Sequence, residues 1–117
     1  MTKQYTKKEE IDKIVSILKK YDKSKFKFTD YYYFRIAQRD INHDWLLETF
    51  HEFDKIKLIE EDILKKGDIG YDLYYEISHN RTLIIGVCPK KDLIFIHGIL
   101  RYRKWQSALK GTPKKRK

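Results

Sequence analysis

The sequence contains little cysteine, proline or glycine: one, two and five residues respectively in a chain of 117. A single thiol, Cys88, excludes an internal disulfide and a cysteine-rich zinc site. Because Cys88 lies in an apolar run, we interpret it as a small buried hydrophobic residue of a strand. No apolar run is long enough to span a membrane, and the N-terminus lacks the apolar core of a signal peptide. We therefore expect a cytoplasmic protein with no membrane partner.

The common signatures of catalysis and cofactor binding are also missing. The chain has no glycine-rich phosphate loop, no His-Glu-x-x-His, no nucleophile elbow and no paired cysteines. His43 and His51 lie too far apart in sequence to suggest a metal site, so we expect no metal and no cofactor. Any catalysis would have to use general acid–base groups and charge stabilisation, and cleavage of RNA by its own 2′-hydroxyl needs nothing more.

The net charge of +9 is unevenly distributed along the chain. Residues 101–117 contain eight Lys or Arg and no acid, and residues 1–27 contain nine Lys against four acids. Residues 28–100 are mildly acidic, with nine bases and thirteen acids. Basic ends of this kind indicate a polyanion such as nucleic acid, or an acidic partner protein. The alternative is a Lys-rich surface that serves solubility.

Three consecutive strands, within residues 71–105, are the strongest structural prediction. Residues 71–78 alternate apolar and polar side chains, the pattern of a half-buried strand. Residues 82–88 and 93–100 are apolar on both faces, as expected of central strands. A length of 117 residues fits one domain built around this meander.

Cations and aromatic residues follow the last of these strands. Arg101, Tyr102, Arg103 and Lys104 come directly after its apolar run, and His97 lies within it. If the alternation holds, residues 93, 95, 97 and 99 share one face. His97 is then either a buried neutral histidine or a general acid or base beside a cationic phosphate clamp. The candidate catalytic residues for RNA cleavage are His97, Arg101, Tyr102 and Arg81.

Helices are predicted in the first half of the chain. We expect a helix over about 7–21 opened by a capping box at residues 6–9, a second over 31–39 capped by Thr29 or Asp30, and a third over 43–54 capped by Asn42. Residues 26–28 could form a short edge strand, and residues 55–59 are predicted to be the first strand of the sheet.

The second predicted helix carries two possible binding features. Its aromatic run, residues 31–34, covers every face of one helical turn, so some rings pack in the core. An exposed tyrosine among them could instead stack on a nucleic-acid base. Arg35 and Arg39 lie on one face, where they could clamp phosphate or pair with nearby acids.

Residues 31–41, Tyr-Tyr-Tyr-Phe-Arg-Ile-Ala-Gln-Arg-Asp-Ile, resemble a motif of the RelE/ParE-like toxin superfamily. The likeness is to its small DUF4258 and BrnT-like members, which open a helix with His, then Arg-apolar, then Arg-Gly-Ile. Tyr31 stands where those families usually have His, and Asp40 where they often have Gly. The resemblance implies a small antiparallel sheet, RNA cleavage at the ribosome or action on DNA gyrase, and neutralisation by an antitoxin.

We expect an α+β fold: a four-stranded antiparallel sheet with two helices on one face, plus an extra N-terminal helix and a basic C-terminal tail. Residues 1–25 would form the N-terminal helix and linker, 26–110 the RelE-like domain and 111–117 a disordered tail. The first functional hypothesis is a toxin or metal-independent endoribonuclease acting on RNA, with the ribosome and an acidic antitoxin as partners. The alternatives are a non-catalytic nucleic-acid-binding protein and a module that binds an acidic protein. The expected nucleic-acid contacts are Arg35, Arg39, Arg103, Lys104, Lys114, Lys115, Arg116 and Lys117.

Overall fold

A computed structural model describes residues 2–110, which form one mixed sheet and three helices. The strands are β1 Lys3–Tyr5, β2 Phe26–Phe28, β3 Ile56–Ile63, β4 Ile69–Ser78, β5 Arg81–Pro89 and β6 Leu93–Arg101. The helices are α1 Lys8–Leu18, α2 Asp30–Gln38 and α3 His43–Phe50. The strand order across the sheet is β1-β3-β4-β5-β6-β2. Neighbouring strands are antiparallel except β2 and β6, which are parallel.

The predicted fold, a four-stranded antiparallel sheet with two helices on one face and an extra N-terminal helix, is wrong, because the described residues form a six-stranded mixed sheet with all three helices packed in one core. The two additional strands are the edges: β1 pairs with β3, and β2 pairs in parallel with β6. Each has only three residues, which is too short for an alternating pattern to predict its partner. Their pairing depends on strands that lie more than fifty residues away in the sequence.

The predicted meander is confirmed as β4, β5 and β6. β5 is buried along almost its whole length, from Thr82 to Cys88, so the sheet is covered on both faces around it. All three helices pack on one face, where Leu73, Ile85 and Phe95 are fully buried. Burial of this apolar surface is the main stabilising contribution in a domain of this size.

The helix starts agree with local sequence signals in two cases out of three. The Thr29 hydroxyl accepts a hydrogen bond from the Tyr32 amide at 2.9 Å, and the Asn42 side chain accepts one from the Trp45 amide at 2.8 Å. The capping box predicted at residues 6–9 is wrong, because α1 begins one residue later. α3 ends at Phe50 rather than at residue 54, because a short 3₁₀ turn leads directly into β3.

The second face of the sheet is only partly covered. Leu58, Tyr74 and Ile84 form a small apolar cluster there, and a 3₁₀ turn at Trp105–Ala108 packs over it. The segment after β6 is held down because the Thr82 hydroxyl donates to the Arg103 carbonyl at 2.8 Å. The rest of this face carries polar side chains that line a cleft.

α2 ends in a turn that requires a left-handed residue. The Ile41 amide donates to the Ile36 carbonyl at 2.8 Å, and the Asp40 amide donates to the Ala37 carbonyl at 3.2 Å. This pair of bonds is the Schellman motif, whose left-handed position is usually occupied by glycine. Asp40 takes that position with φ of 58°. Asp tolerates this conformation better than most residues but less well than glycine.

Asp40→Gly should therefore stabilise the protein by about 0.5–1 kcal/mol. The substitution removes the strain of a non-glycine residue in the left-handed conformation. This gain in free energy exceeds the entropy cost of ordering glycine, which is more flexible in the unfolded chain. Urea unfolding measures the difference. Asp40→Ala is the control and should be less stable than wild type, since alanine keeps the strain without the polar side chain. A glycine variant less stable than the alanine variant would contradict the assigned backbone conformation.

Candidate nucleic-acid interface

Five arginines gather at the end of the sheet where β5 begins and β6 ends. Arg81 opens β5, while Arg101 closes β6 and is followed by Arg103. Arg35 and Arg39 approach the same end from α2, which packs against β6. We call these five residues the arginine end. Lys104, at the start of the turn that follows, adds a further exposed cation.

Arg39 links the end of α2 to the edge of β6. Its Nη1 donates a hydrogen bond to the Gly98 carbonyl at 2.9 Å, at the edge of β6. Partial burial lowers the pKa of Arg39, and the positive charges of Arg35 and Arg101 lower it further. Tyr31 acts in the opposite direction. Arg35, Arg101 and Tyr31 are therefore all close enough to Arg39 to affect its protonation.

No arginine of residues 2–110 forms an ion pair with an acid from the same part of the chain. The ion pairs of that region are Lys8–Asp12, Lys55–Glu52, Lys90–Asp68 and His97–Asp72. The alternative in which Arg35 and Arg39 pair with nearby acids therefore has no support among the described residues. Because like charges repel, gathering these cations costs stability unless a counter-charge from outside the fold compensates them.

Two of the arginines stack on tyrosine rings. The Arg35 guanidinium carbon lies 5.6 Å from the ring centroid of Tyr31, and that of Arg81 lies 5.4 Å from Tyr102. These distances fit cation–π contacts. Both rings nevertheless remain largely open to solvent, with Tyr31 54% and Tyr102 74% exposed. The arginine end therefore presents aromatic surface together with positive charge.

The aromatic run of α2 divides between core and surface, as the all-round pattern requires. Tyr32 is fully buried, and its hydroxyl lies 2.9 Å from His43 Nδ1. Tyr33 is half exposed and packs against Phe28. Tyr31 and Phe34 point outward, Phe34 with 60% of its surface exposed. The helix thus provides both a core anchor and exposed rings beside the arginines.

His97 lies elsewhere, because β6 contains a bulge. Gly86 pairs with His97 and the next residue, Val87, pairs with Phe95, so Ile96 is the extra residue of β6. A bulge of this kind reverses the alternation of side chains. The prediction that residues 93, 95, 97 and 99 share one face is therefore wrong. Phe95 faces the helices, whereas His97 faces the partly covered side of the sheet.

His97 crosses β5 to reach an acidic residue of β4. Its Nε2 lies 3.1 Å from Asp72 Oδ1. The imidazole can take this path only because Gly86 has no side chain: a Cβ there would lie 2.5 Å from His97 Nε2. Asp72, Gly86 and His97 form one row across three adjacent strands, and Glu60 of β3 extends it.

Glu60, Asp72 and His97 line a cleft of about 180 Å³, which we call the acidic cleft. The Glu60 carboxylate accepts hydrogen bonds from the Tyr74 hydroxyl and the Gln4 amide, both at 2.8 Å. Burial raises the pKa of Tyr74, and its hydrogen bond to Glu60 raises it further, so the hydroxyl stays a donor. The lining residues are Glu60, Asp62, Leu64, Gly70, Tyr71, Asp72, Val87, Ile96 and His97.

The four predicted catalytic residues therefore fall in two separate places. Arg81, Arg101 and Tyr102 belong to the arginine end, and His97 belongs to the acidic cleft. His97 and Arg101 are four residues apart on one strand, which separates their Cα atoms by about 13 Å. Cleavage of RNA would need the base and the cations around a single phosphate. No arginine lines the cleft that holds His97.

The predicted nucleic-acid contacts are placed more favourably. Arg35, Arg39, Arg103 and Lys104 all lie at or beside the arginine end. The four cations at 114–117 lie outside the described residues. Sequence reasoning missed Asp72 and Gly86, although an acid in the middle of an alternating strand and a glycine in an apolar strand were both visible signals.

Several further comparisons bear on the site. Within residues 2–110, no group of three or more His, Cys, Asp or Glu side chains could hold a metal ion. No helix of that region is long and apolar enough to cross a membrane. No protein-family model, curated protein or solved structure matches this chain. The resemblance to RelE-like proteins in residues 31–41 therefore stays a prediction.

The dependence of the acidic cleft on Gly86 can be tested by a double-mutant cycle. Gly86→Ala should destabilise the protein by about 1–3 kcal/mol, because the new methyl group displaces the His97 ring. In a His97→Ala background the same change should cost clearly less, and urea unfolding measures both.

Gly98→Ala serves as the control, since its Cβ would meet Leu46 on the helix side of the sheet, at 2.5 Å. Its cost should be the same with and without His97. Equal costs of Gly86→Ala in the two backgrounds would show that His97 does not lie over Gly86.

Proposed function

We propose that this chain is a non-catalytic nucleic-acid-binding protein of the cytoplasm and that the arginine end is its binding surface. The observation that carries the proposal is the group of five arginines with no acid partner within residues 2–110. Phosphate groups of a nucleic-acid backbone would supply the missing counter-charge.

Arginine is well suited to this role. Its planar guanidinium presents several N–H donors in a fixed fork, which matches the oxygens of a phosphate group. Arg101 and Arg103 are exposed, and neither donates a side-chain hydrogen bond among the described residues, so their donors are free for a ligand. Arg39 instead holds the edge of β6 through Gly98, which gives the surface one fixed cation.

The acidic cleft places negative charge at one end of the sheet and leaves the positive charge of the arginines at the other. The carboxylates of the cleft lie near the β3–β4 hairpin, at the opposite end of the sheet from the arginines. They belong to Glu60, Asp62 and Asp72. A phosphate backbone is repelled there and attracted to the arginine end. Such a separation of charge steers an approaching polyanion to one side of the molecule.

Binding is better supported than cleavage for two reasons. The only histidine among the candidate catalytic residues is paired with Asp72, in a cleft lined by three carboxylates. Carboxylates would repel the phosphate group at which this histidine would have to transfer a proton. The predicted catalytic partners Arg81, Arg101 and Tyr102 do not line that cleft, and the Cα atom of Arg101 lies about 13 Å from that of His97 along β6. The geometry therefore favours the binding hypothesis over the endoribonuclease hypothesis.

The salt dependence of binding tests the proposal. Arg101→Gln with Arg103→Gln should weaken binding to a nucleic-acid probe. The slope of log affinity against log salt should fall by about 1.5, because two phosphate contacts are lost. Fluorescence anisotropy over a series of salt concentrations measures both quantities.

Lys65→Gln with Lys66→Gln is the matched control, since it removes two exposed cations at the opposite end of the sheet. This double variant should keep the wild-type slope. An equal effect of the two double variants would mean that binding depends on net charge and not on the arginine end. A wild-type protein that does not bind the nucleic-acid probe would refute the proposal.

A cleavage assay tests whether the protein is non-catalytic. An unstructured RNA is mixed with an excess of wild-type protein in the presence of EDTA. The RNA should stay intact, while fluorescence anisotropy shows that the RNA is bound to the protein. Fragments ending in cyclic phosphate, produced by the wild type and abolished in His97→Ala, would instead restore the endoribonuclease hypothesis. The same assay on ribosomes covers a reaction that needs the ribosome.

A further inference from the structure

We infer that the arginine end binds single-stranded nucleic acid and that Tyr31 and Tyr102 are its base-stacking platforms. This inference rests on the proposed function and adds the class of ligand to it. The observation behind it is separate from the charge: two tyrosines at this surface are each backed by an arginine and remain more than half exposed.

The two pairs share one arrangement although they come from different elements. Tyr31 and Arg35 lie one turn apart on α2, whereas Arg81 opens β5 and Tyr102 follows β6. In each pair a guanidinium lies over the ring, at 5.6 and 5.4 Å from the centroid. The arginine restrains the ring and leaves most of its surface open. A restrained ring loses little conformational freedom when a second flat group stacks on it.

The ligand that suits such a ring is an unpaired base. In a duplex, the face of each base is covered by its neighbours, and only base edges and the backbone are accessible. Bases of a single strand can unstack from one another and stack on aromatic side chains while the backbone follows a basic groove. Exposed rings beside arginines would contribute little to duplex binding and much to single-strand binding.

Arg39 connects the helix platform to the strand that leads to the second platform, because its side chain bonds to the Gly98 carbonyl of β6. Tyr31, Arg35 and Arg39 recur every four residues on one side of α2, a rise of about 12 Å. Arg39 is near enough to Arg101 for the charge of one to affect the other, and Tyr102 follows Arg101 directly. A strand with one base on each tyrosine would therefore have its intervening phosphates beside arginine side chains.

An acidic protein partner is the competing occupant of this surface. Carboxylates would satisfy the arginines equally well, but they leave the two open rings without a function. Unpaired bases account for the charge and the rings together, and we therefore favour them. The ligand could be RNA or DNA, since stacking on a ring does not distinguish the two.

The experiment compares the full-length protein with leucine and phenylalanine variants at both positions. The probes are an unstructured single strand of about 12 nucleotides, as RNA and as DNA, a duplex of the same length, and an abasic single strand with the same phosphates. Tyr102→Leu and Tyr31→Leu should each lower single-strand affinity by about 5- to 140-fold, the loss expected for one base–aromatic stack. Tyr102→Phe and Tyr31→Phe should stay within about twofold of wild type.

The remaining probes separate stacking from charge. Duplex affinity should be the same in all variants, and the abasic strand should bind wild type no better than the normal strand binds the leucine variants. Because Tyr31 and Tyr102 are exposed, thermal unfolding should show intact folding in each variant. The comparison of RNA with DNA then identifies the preferred strand.

Each result leads to a distinct conclusion. Leucine and phenylalanine variants that bind alike, or a wild type that binds duplex as tightly as single strand, would overturn the stacking inference and leave the proposed function standing. Loss of all nucleic-acid binding, in wild type as in the variants, would overturn both. Equal affinity for normal and abasic strands would show that the phosphates alone are recognised.

Discussion

The burial of β5 is the constraint on which the rest of this structure depends. Its residues are buried on both faces of the sheet, from Thr82 to Cys88. One face is covered by α1, α2 and α3, and part of the other by the Trp105–Ala108 turn. Each covering element is also a carrier of charge. α2 brings Arg35 and Arg39 to the sheet, and the chain that leads to the turn brings Arg101 and Arg103. The arginine end is thus a consequence of how the apolar strand is covered.

A second local feature, the bulge in β6, divides the molecule electrostatically. Because Ile96 is the extra residue, His97 turns toward the acidic cleft, and Gly86 leaves room for it to reach Asp72. A regular strand would have directed His97 to the helix side of the sheet. The histidine is thereby paired with a carboxylate in a cleft that no arginine lines. This separation is the main physical reason for preferring nucleic-acid binding to RNA cleavage.

The turn after α2 connects the resemblance in residues 31–41 with the geometry. The position where the RelE-like motif often has glycine is occupied by Asp40, and its backbone adopts the left-handed conformation that favours glycine. The preceding residue, Arg39, is the cap of the helix and reaches the Gly98 carbonyl. The Arg-Asp-Ile segment therefore ends the helix and positions an arginine at the sheet edge. These roles are structural and do not require that the chain share the activity of those proteins.

The sequence by itself determined the elements whose signals are local. Alternation and apolar runs predicted β4, β5 and β6, and the side chains of Thr29 and Asn42 predicted where α2 and α3 begin. It also determined which residues carry positive charge near the end of the meander. These features depend on neighbours within a few residues, so a pattern in the chain is enough to show them.

Only the tertiary structure decided how these elements meet. The pairing of β1 and β2, the parallel direction of β2 and the bulge in β6 all depend on contacts between distant residues. One inserted residue in a strand reverses every side chain beyond it, so the face of His97 could not be read from alternation. The absence of acid partners around the arginines within residues 2–110 is likewise a property of the folded surface. Charges that are neighbours in sequence can point apart, and charges far apart in sequence can converge at one end of a sheet.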